Sequence, residues 1–428
     1  VRILYIVPYM PNLIRVRPYN LIRYLARLGH EVTAATVVSH PTERQDSKKL
    51  NDFCQDVISV DMPFARSLLQ SGIAMVQGIP MQARYSWRPG LFQQITGVLK
   101  QHNGGQPFDV VHVEHLRGIE YGLRLLDWLS EVKELAALPV VWDSVDCISS
   151  LMRQTRQRGS SAKSRVIAAL EYGNTVKYEC RGLRSFDRVL VTSPVDQAAL
   201  ADTDQGEASR WKIDVLPNGV DLDYFQPGEG DRHPDTIVIS GKMSYHANVT
   251  MVTYLVNEIM PLVWSRKPGV RLQIVGKDPP PSMQAMAKNE NIIVTGTVSD
   301  IRPYLQQATL AVVPITYGTG IQNKILEAMA CATPVIVSAP AAASLLAIPN
   351  RDYVVVETAR QFADAILDLL GDDHKRIELG MAGRLYVEKN HDWQVIAAKL
   401  AGIYASTGYE KKRKLEEMSL LAGQGKGA

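Results

Sequence analysis

The sequence predicts an α/β protein built from two doubly wound parallel-sheet domains facing each other across a cleft. Short apolar, β-branched runs recur along the chain and alternate with stretches of helical periodicity. At 428 residues the chain exceeds what one ordinary core holds. A turn-rich, charged segment from Gln226 to Asp235 divides the alternation near its middle and reads as a linker.

Composition narrows the class. A hydrophobic content of 46% with 21% charged residues is that of a soluble globular protein. The formal net charge of +3 is small for this length, so charge gives no reason to expect a nucleic-acid partner. Cys54, Cys147, Cys180 and Cys331 are widely spaced and form no CxxC pair, which fits reduced thiols in a cytoplasmic protein. No apolar run is long enough to span a bilayer. Val1 to Pro8 is too short for a signal peptide and lacks a basic flank; the sequence starts without Met, as a trimmed or tagged terminus would.

In the first half, Arg2 to Pro8 reads as a strand buried on both faces. The loop Tyr9 to Pro18 carries Arg15 and Arg17. Tyr19 to Leu28 is helical, Gly29 caps it, and His30 to Val38 is a second strand. This unit implies a right-handed parallel crossover. Its loop lacks GxGxxG, which disfavours a redox dinucleotide enzyme. Arg15 and Arg17 are either ligand-edge cations or solvated loop arginines. Asp56 to Val60 is a further strand, Arg66 to Lys100 carries mixed helical signals, and Gly104-Gly105 marks a turn. Phe108 to Val113 is a strand with Glu114 and His115 at its C-terminal end, where open α/β sheets bind ligands. Pro139 to Trp142 is the next, followed by Asp143 and Asp146.

Cys147 to Arg188 reads as long, helical and basic, interrupted at Gly159 to Ser161. It is a solvated face, or a surface for anionic lipid or an acidic acceptor. Arg188 to Thr192 is a strand, and Asp214 to Asp221 is a strand running into an Asn-Gly turn. The Asp221-Leu-Asp223 string reads as turn chemistry rather than a metal site.

In the second half, Thr236 to Gly241, Val270 to Val275, Ile292 to Thr295, Leu310 to Ile315, Val335 to Val337 and Asp352 to Val356 read as strands. Helices are expected at Asn248 to Lys267, Ser282 to Lys288, Asp300 to Ala308, Arg360 to Leu370, His374 to Lys389 and Trp393 to Ser406. A basic stretch, Lys411 to Lys414, and a frayed Gly-rich end follow.

The chemistry centres on Leu310 to Ser338, a strand, a glycine turn and a helix read as starting at Ile321. A helix start leaves N–H groups unpaired and carries partial positive charge, and glycines let a ligand approach the backbone. This suits a phosphate. Gly318, Gly320 and the N–H groups of Ile321 and Gln322 are the cradle. Lys324 places a cation in the first turn, where the dipole disfavours it, and a bound diphosphate would justify it. Glu327, near Asn323 and Lys324 on the same face, could accept sugar hydroxyls. The bland alternative is an ordinary buried helix and a solvated lysine. Lys242 follows Gly241 at a strand end and would point toward the same ligand. No GxSxG, HExxH or paired Cys/His cluster is present.

Several motifs together resemble the GT-B-type retaining glycosyltransferases of family four. They are Asp214-Val-Leu-Pro-Asn-Gly-Val-Asp221 with Phe225 and Pro227, Gly29-His30-Glu31-Val32, Asp109-Val-Val-His112, Gly276, Gly296-Thr-Val-Ser-Asp300, Leu326-Glu-Ala-Met-Ala330 and Pro334-Val-Ile336. The variant around Gly320 to Ala330 looks closest to bacterial sugar transferases linked to surface polysaccharide export. The resemblance implies a GT-B architecture. Its acceptor-side N-terminal domain is 1–225, its donor-binding domain 226–392, its crossing-back helix 393–410 and its basic tail 411–428.

The resemblance further implies a nucleotide-diphosphate sugar donor (UDP- or GDP-sugar), a glycan, lipid-linked or small-molecule acceptor, and no metal or other cofactor. Glu327 matches the ribose-binding Glu of the family, and Lys242 stands at its phosphate-binding Arg. Gly241, Gly276, Val298, Thr319, Gly320, Ile321, Gln322 and Asn323 fall on the donor side. Arg15, Arg17 and Asp143 fall on the acceptor side. His115 or Glu114 would act on the sugar with Lys242 and Lys324. Three departures stand out: Thr319 replaces the first Glu of the E-x7-E motif, a lysine expected near Ala247 or Asn248 is missing, and the N-terminal glycine loop is replaced by Pro11 to Arg17. A sugar-nucleotide epimerase and a non-catalytic sugar-nucleotide-binding protein are the alternatives. The expected location is cytoplasmic, peripheral on the inner membrane face through the basic helix 150–188.

Overall fold

The computed structural model describes residues 1–100, 107–158, 162–204 and 207–424. The turn at Gly104-Gly105, the interruption at Gly159 to Ser161 and the tail glycines Gly425 and Gly427 lie outside the described residues. The chain divides into two compact units: 1–150, 170–217 and 393–428 form the first, and 151–169 with 218–392 the second.

The first unit is built on strands β1 (Arg2–Val7), β2 (Glu31–Val38), β3 (Asp56–Asp61), β4 (Val110–Glu114), β5 (Val140–Val145), β6 (Arg188–Val191) and β7 (Ile213–Val215). They pair in parallel in the order β3-β2-β1-β4-β5-β6-β7. The order reverses between β1 and β4, so the crevice beyond their C-terminal ends is this unit's natural ligand edge. Both strands are buried on both faces, which is why they read as continuous apolar runs.

The second unit is built on β8 (His233–Ser240), β9 (Arg271–Val275), β10 (Ile292–Gly296), β11 (Ala308–Val313), β12 (Val335–Ser338) and β13 (Val354–Val356). The parallel order is β10-β9-β8-β11-β12-β13. Its reversal lies between β8 and β11. Those strands lead into Gly241-Lys242 and into the glycine turn before Lys324, the two places where the sequence analysis located phosphate chemistry.

Four readings change. The helix after the glycine turn spans Asn323–Ala330 rather than starting at Ile321. Gly320 has φ +68° and Gln322 is extended, and this backbone holds Ile321 outside the helix despite its apolar spacing. The last helix runs Trp393–Gln424, straight through the basic stretch. Trp393, Ile396, Ala397, Leu400, Ile403 and Tyr404 bury one face against the first unit's core. Further on, Lys411 Nζ donates to Leu138 O and Asp187 Oδ2, both at 2.9 Å, so the basic segment stays docked. The helix expected at Asn248 to Lys267 begins at His246, passes through a π turn at Leu255–Ile259 and ends at Trp264. Finally, the unit boundary falls at Pro217/Asn218, ahead of the Pro/Gly segment, because Asn218 and Val220 bond to His391. Within that segment Arg232 is no free linker residue. Its guanidinium donates to the carbonyls of Leu305, Gln306, Ala308, Cys331 and Ala332.

Candidate functional site

In the second unit, β8 and β9 end in Gly241 (φ +148°) and Gly276 (φ +152°). A Cβ on Gly276 would sit 1.8 Å from the Gly241 carbonyl oxygen, so the two strand ends meet backbone to backbone. A Cβ on Gly241 would sit 2.9 Å from Asn248 Nδ2 and 3.3 Å from Lys324 Cε. Glycine at both positions therefore opens the place that Asn248 and Lys324 occupy.

Asn248 orders this place. Its Nδ2 donates to the Lys242 carbonyl at 2.9 Å, and its Oδ1 accepts from Lys324 Nζ at 2.8 Å. Gln322 Oε1 lies 3.4 Å from the same ammonium. Among the described residues no carboxylate lies within ion-pair distance of Lys324. Burial pushes its amine down to about 8, with the Glu327 charge opposing. Burial likewise pushes the Glu327 carboxyl up to about 7, with Lys324 opposing. Both side chains remain partly accessible to solvent. Gln322, at the N-cap of the helix, makes no side-chain cap bond, so no side chain of its own closes the helix start.

The other donor-side residues surround this centre. Gly318 N donates to Gln154 Oε1 at 3.0 Å. The Thr319 carbonyl accepts from Gln322 Nε2 at 3.3 Å. Asn323 Oδ1 accepts from Asn218 Nδ2 at 3.0 Å, which ties the Pro-Asn-Gly segment to the helix start. Ile321 is buried, Val298 packs half-buried against the core, and the Lys242 side chain is exposed. Tyr317, fully buried, meets His246 Nδ1 through its hydroxyl at 2.7 Å, with the rings stacked. His246 escaped the sequence reading, and Asn248 entered it only as a helix start and the place of a missing lysine; the signal was their place just past the Gly241-Lys242 strand end. The Asp221-Leu-Asp223 string is a turn, with Tyr224 N donating to Asp221 Oδ1 at 3.1 Å.

In the first unit, the ends of β1, β4 and β5 converge on a buried polar cluster. Glu114 is fully buried and accepts from Tyr5 Oη at 2.5 Å and Tyr9 Oη at 3.3 Å. Asp143, equally buried, accepts from Arg17 Nε at 3.0 Å and a terminal guanidinium nitrogen at 2.7 Å. His112 stacks on Tyr5 and bonds through Nδ1 to Tyr404 Oη at 2.9 Å. Among the described residues its Nε2 has no hydrogen-bond partner, and it lies 3.5 Å from Glu114 Oε2 and 3.8 Å from Asp143 Oδ2. Burial pushes both carboxyls up, with the Arg17 cation opposing, and pushes His112 down to about 4. One nitrogen and two carboxylates form a metal-like donor set. The oxygens facing His112 already take the Tyr5 hydroxyl and the Arg17 guanidinium, while the His112 Nε2 makes no hydrogen bond among the described residues.

Glu114, Arg17 and Asp143 are buried in the unit: the Tyr5 and Tyr9 hydroxyls hold Glu114, and the Arg17 guanidinium holds Asp143. Arg15 remains near the surface but is engaged: one guanidinium nitrogen donates to Met10 O at 3.1 Å and Glu43 Oε1 at 3.2 Å. Of the pair Glu114 and His115, only His115 reaches solvent. It adopts φ +62° at the head of helix His115–Glu131, and Trp142 Nε1 donates to its carbonyl at 3.3 Å. Its Nδ1 accepts from Arg117 N at 3.3 Å, which leaves the ring proton on Nε2. Burial, aided by the Arg117 charge, pushes His115 down to about 3. It is a neutral imidazole offering an N–H.

Each unit thus carries one chemical feature: an ordered lysine at an open helix start in the second, and a neutral histidine at a sheet switch point in the first. Comparison with known proteins gives them a family. Residues 14–219 match the glycosyl transferase 4-like domain, and residues 234–372 match glycosyl transferases group 1. The chain belongs to the group 1, family four glycosyltransferases, and its two Rossmann-like units are of the GT-B class. It is 28% identical over 215 residues to the GDP-mannose-dependent alpha-(1-6)-phosphatidylinositol monomannoside mannosyltransferase of Mycobacterium tuberculosis, across 44% of this chain and 54% of that protein. It is 30% identical over 206 residues to the D-inositol 3-phosphate glycosyltransferase of Mycobacteroides abscessus, across 43% and 44%. The chain thus spans about half the length of these curated relatives. Among solved structures, Anabaena HepE in complex with UDP superposes with a TM-score of 0.66 at 13% identity, covering 95% of this chain and 100% of that one.

Proposed function

We propose that the chain is a retaining glycosyltransferase that moves a sugar from a nucleotide-diphosphate sugar to an acceptor hydroxyl in surface polysaccharide or glycolipid synthesis. The observation that carries this reading is the Lys324 ammonium. It is held by Asn248 at an uncapped helix start, beside two touching glycines, with no carboxylate within ion-pair distance among the described residues. A cation partly desolvated in that place is stabilised by an anion, and a diphosphate supplies one.

The donor diphosphate lies against the 320–323 segment, Lys324 and Lys242, and Glu327 accepts from the ribose hydroxyls. In the reaction the bond from the anomeric carbon to the phosphate oxygen breaks and the acceptor oxygen bonds to that carbon on the same face. The acceptor proton passes to the departing phosphate, so the protein supplies no strong base. Charge growing on the leaving group is stabilised by the two lysines and the helix start, with no metal assigned to the step. His115, neutral at working pH, donates from Nε2 to a sugar hydroxyl. The donor is a UDP- or GDP-sugar, and the acceptor, bound by the first unit, is a lipid-linked or soluble glycan. The protein works in the cytoplasm, in peripheral contact with the membrane through the basic helical stretch 150–188, where Arg153, Lys163, Arg165, Lys177 and Arg181 are exposed.

The test is release of nucleoside diphosphate from a panel of UDP- and GDP-sugars, with product configuration read by NMR. Release with retention supports the reading. A donor epimer formed without acceptor identifies an epimerase, and binding without turnover identifies a non-catalytic protein.

A further inference from the structure

Helix Phe64–Gln77 is amphipathic the wrong way round. Toward its own unit it buries Ser67 and Ala74, with Gln70 and Ser71 half-buried. Toward solvent it presents Phe64 (67% exposed), Leu68 (54%), Leu69 (64%), Met75 and Val76 (91%). A helix on a soluble unit normally does the reverse. Five large apolar side chains on one outward face make a contiguous patch of the kind that marks an interaction surface.

The neighbouring helix says what covers it. Met81 N donates to Glu171 Oε2 at 2.7 Å, and Gly78 lies beside Asn174. These contacts set the end of the apolar helix against the middle of helix Ala162–Ser185. That second helix exposes Leu170 together with Lys177 and Arg181. Its two acidic residues, Glu171 and Glu179, are both buried. The apolar helix has no acidic residue at all, and its one charged group is the exposed Arg66. The surface is therefore apolar and cationic, with no exposed carboxylate on either helix. A second copy of this chain would bring like charges together. An anionic bilayer would take the apolar side chains into its acyl boundary and the cations at its headgroups.

We propose that helix Phe64–Gln77 is a membrane-insertion element that, with Lys177 and Arg181, docks the first unit on anionic lipid. The inference deepens the proposed function, because a protein held this way meets a lipid-linked acceptor at the interface.

The test is co-sedimentation of the full chain with vesicles of phosphatidylethanolamine and phosphatidylglycerol, against pure phosphatidylcholine. Tight binding to the anionic vesicles, weaker at high salt, is expected. The double variant Leu69→Asp, Val76→Asp should lower partitioning at least tenfold, and Lys177→Glu with Arg181→Glu should lower it on anionic vesicles. All substituted residues are exposed, so melting temperatures should match the unmodified protein. GDP and UDP binding, measured on the same samples, should not change. Absence of vesicle binding, equal binding by the Asp variant, or a lipid-free dimer dispersed by that variant overturns the proposal. Loss of nucleotide binding in every sample would instead count against the transferase reading alone.

Discussion

Replacing Lys324 by Met should weaken nucleoside-diphosphate binding about 30-fold while leaving the fold intact. The ammonium is fixed by Asn248 Oδ1 at 2.8 Å, so its position is known. A unit phosphate charge about 4 Å away, at an effective dielectric of about 20, is attracted by 332/(20 × 4), or about 4 kcal/mol. The site is partly open to water, and screening removes about half of that. The remainder, about 2 kcal/mol, is a factor of about 30 in Kd. Methionine keeps the apolar stem and leaves Asn248 Oδ1 to water, a cost of about 1 kcal/mol or less. Calorimetric titration of both proteins with GDP and UDP, beside their melting curves, measures this. An affinity within about twofold of the unmodified protein, with the melting temperature unchanged, removes Lys324 from the site.

Three further outcomes are expected. Donor binding should fall below about pH 7 as Glu327 takes up its proton, and above about pH 8 as Lys324 loses its own. The alkaline limb should vanish in Lys324→Met; its survival in calorimetric pH titrations assigns it to another group. Gly276→Ala forces a Cβ toward the Gly241 carbonyl at a left-handed φ, so it should cost about 3 kcal/mol or more. The melting temperature should drop by about 6–12 °C, and an unchanged melt contradicts the close approach. Arg17→Met leaves Asp143 as an unpaired buried charge and should cost about 3–5 kcal/mol. Adding Asp143→Asn should recover part of that loss in chemical denaturation; no recovery means the pair is not the cause.

The strands were legible because parallel strands covered on both faces read as unbroken apolar runs, as Ile3 to Val7 and Val110 to Val113 do. Helix Glu43–Leu50 was not legible: Leu50 is its one buried residue, so no periodicity marks it. Gly241, Gly276 and Lys324 could be found because glycine at a strand end and a cation at a helix start are local signals. The partner that orders the lysine could not, since Asn248 lies 76 residues away. Distance in sequence also hid the fate of Glu114. Its place at a strand end pointed to a ligand, while the Tyr5 hydroxyl that claims it comes from 109 residues earlier. The helix start was misplaced because apolar spacing at Ile321 outvoted the conformation that Gly320 imposes.

The most direct measurement is a crystal structure with GDP or UDP bound. The diphosphate oxygens should lie within hydrogen-bond reach of Lys324 Nζ and the backbone amides at the start of helix Asn323–Ala330, with the ribose at Glu327. A nucleotide seated elsewhere, with that helix start facing only water or protein, would contradict the account.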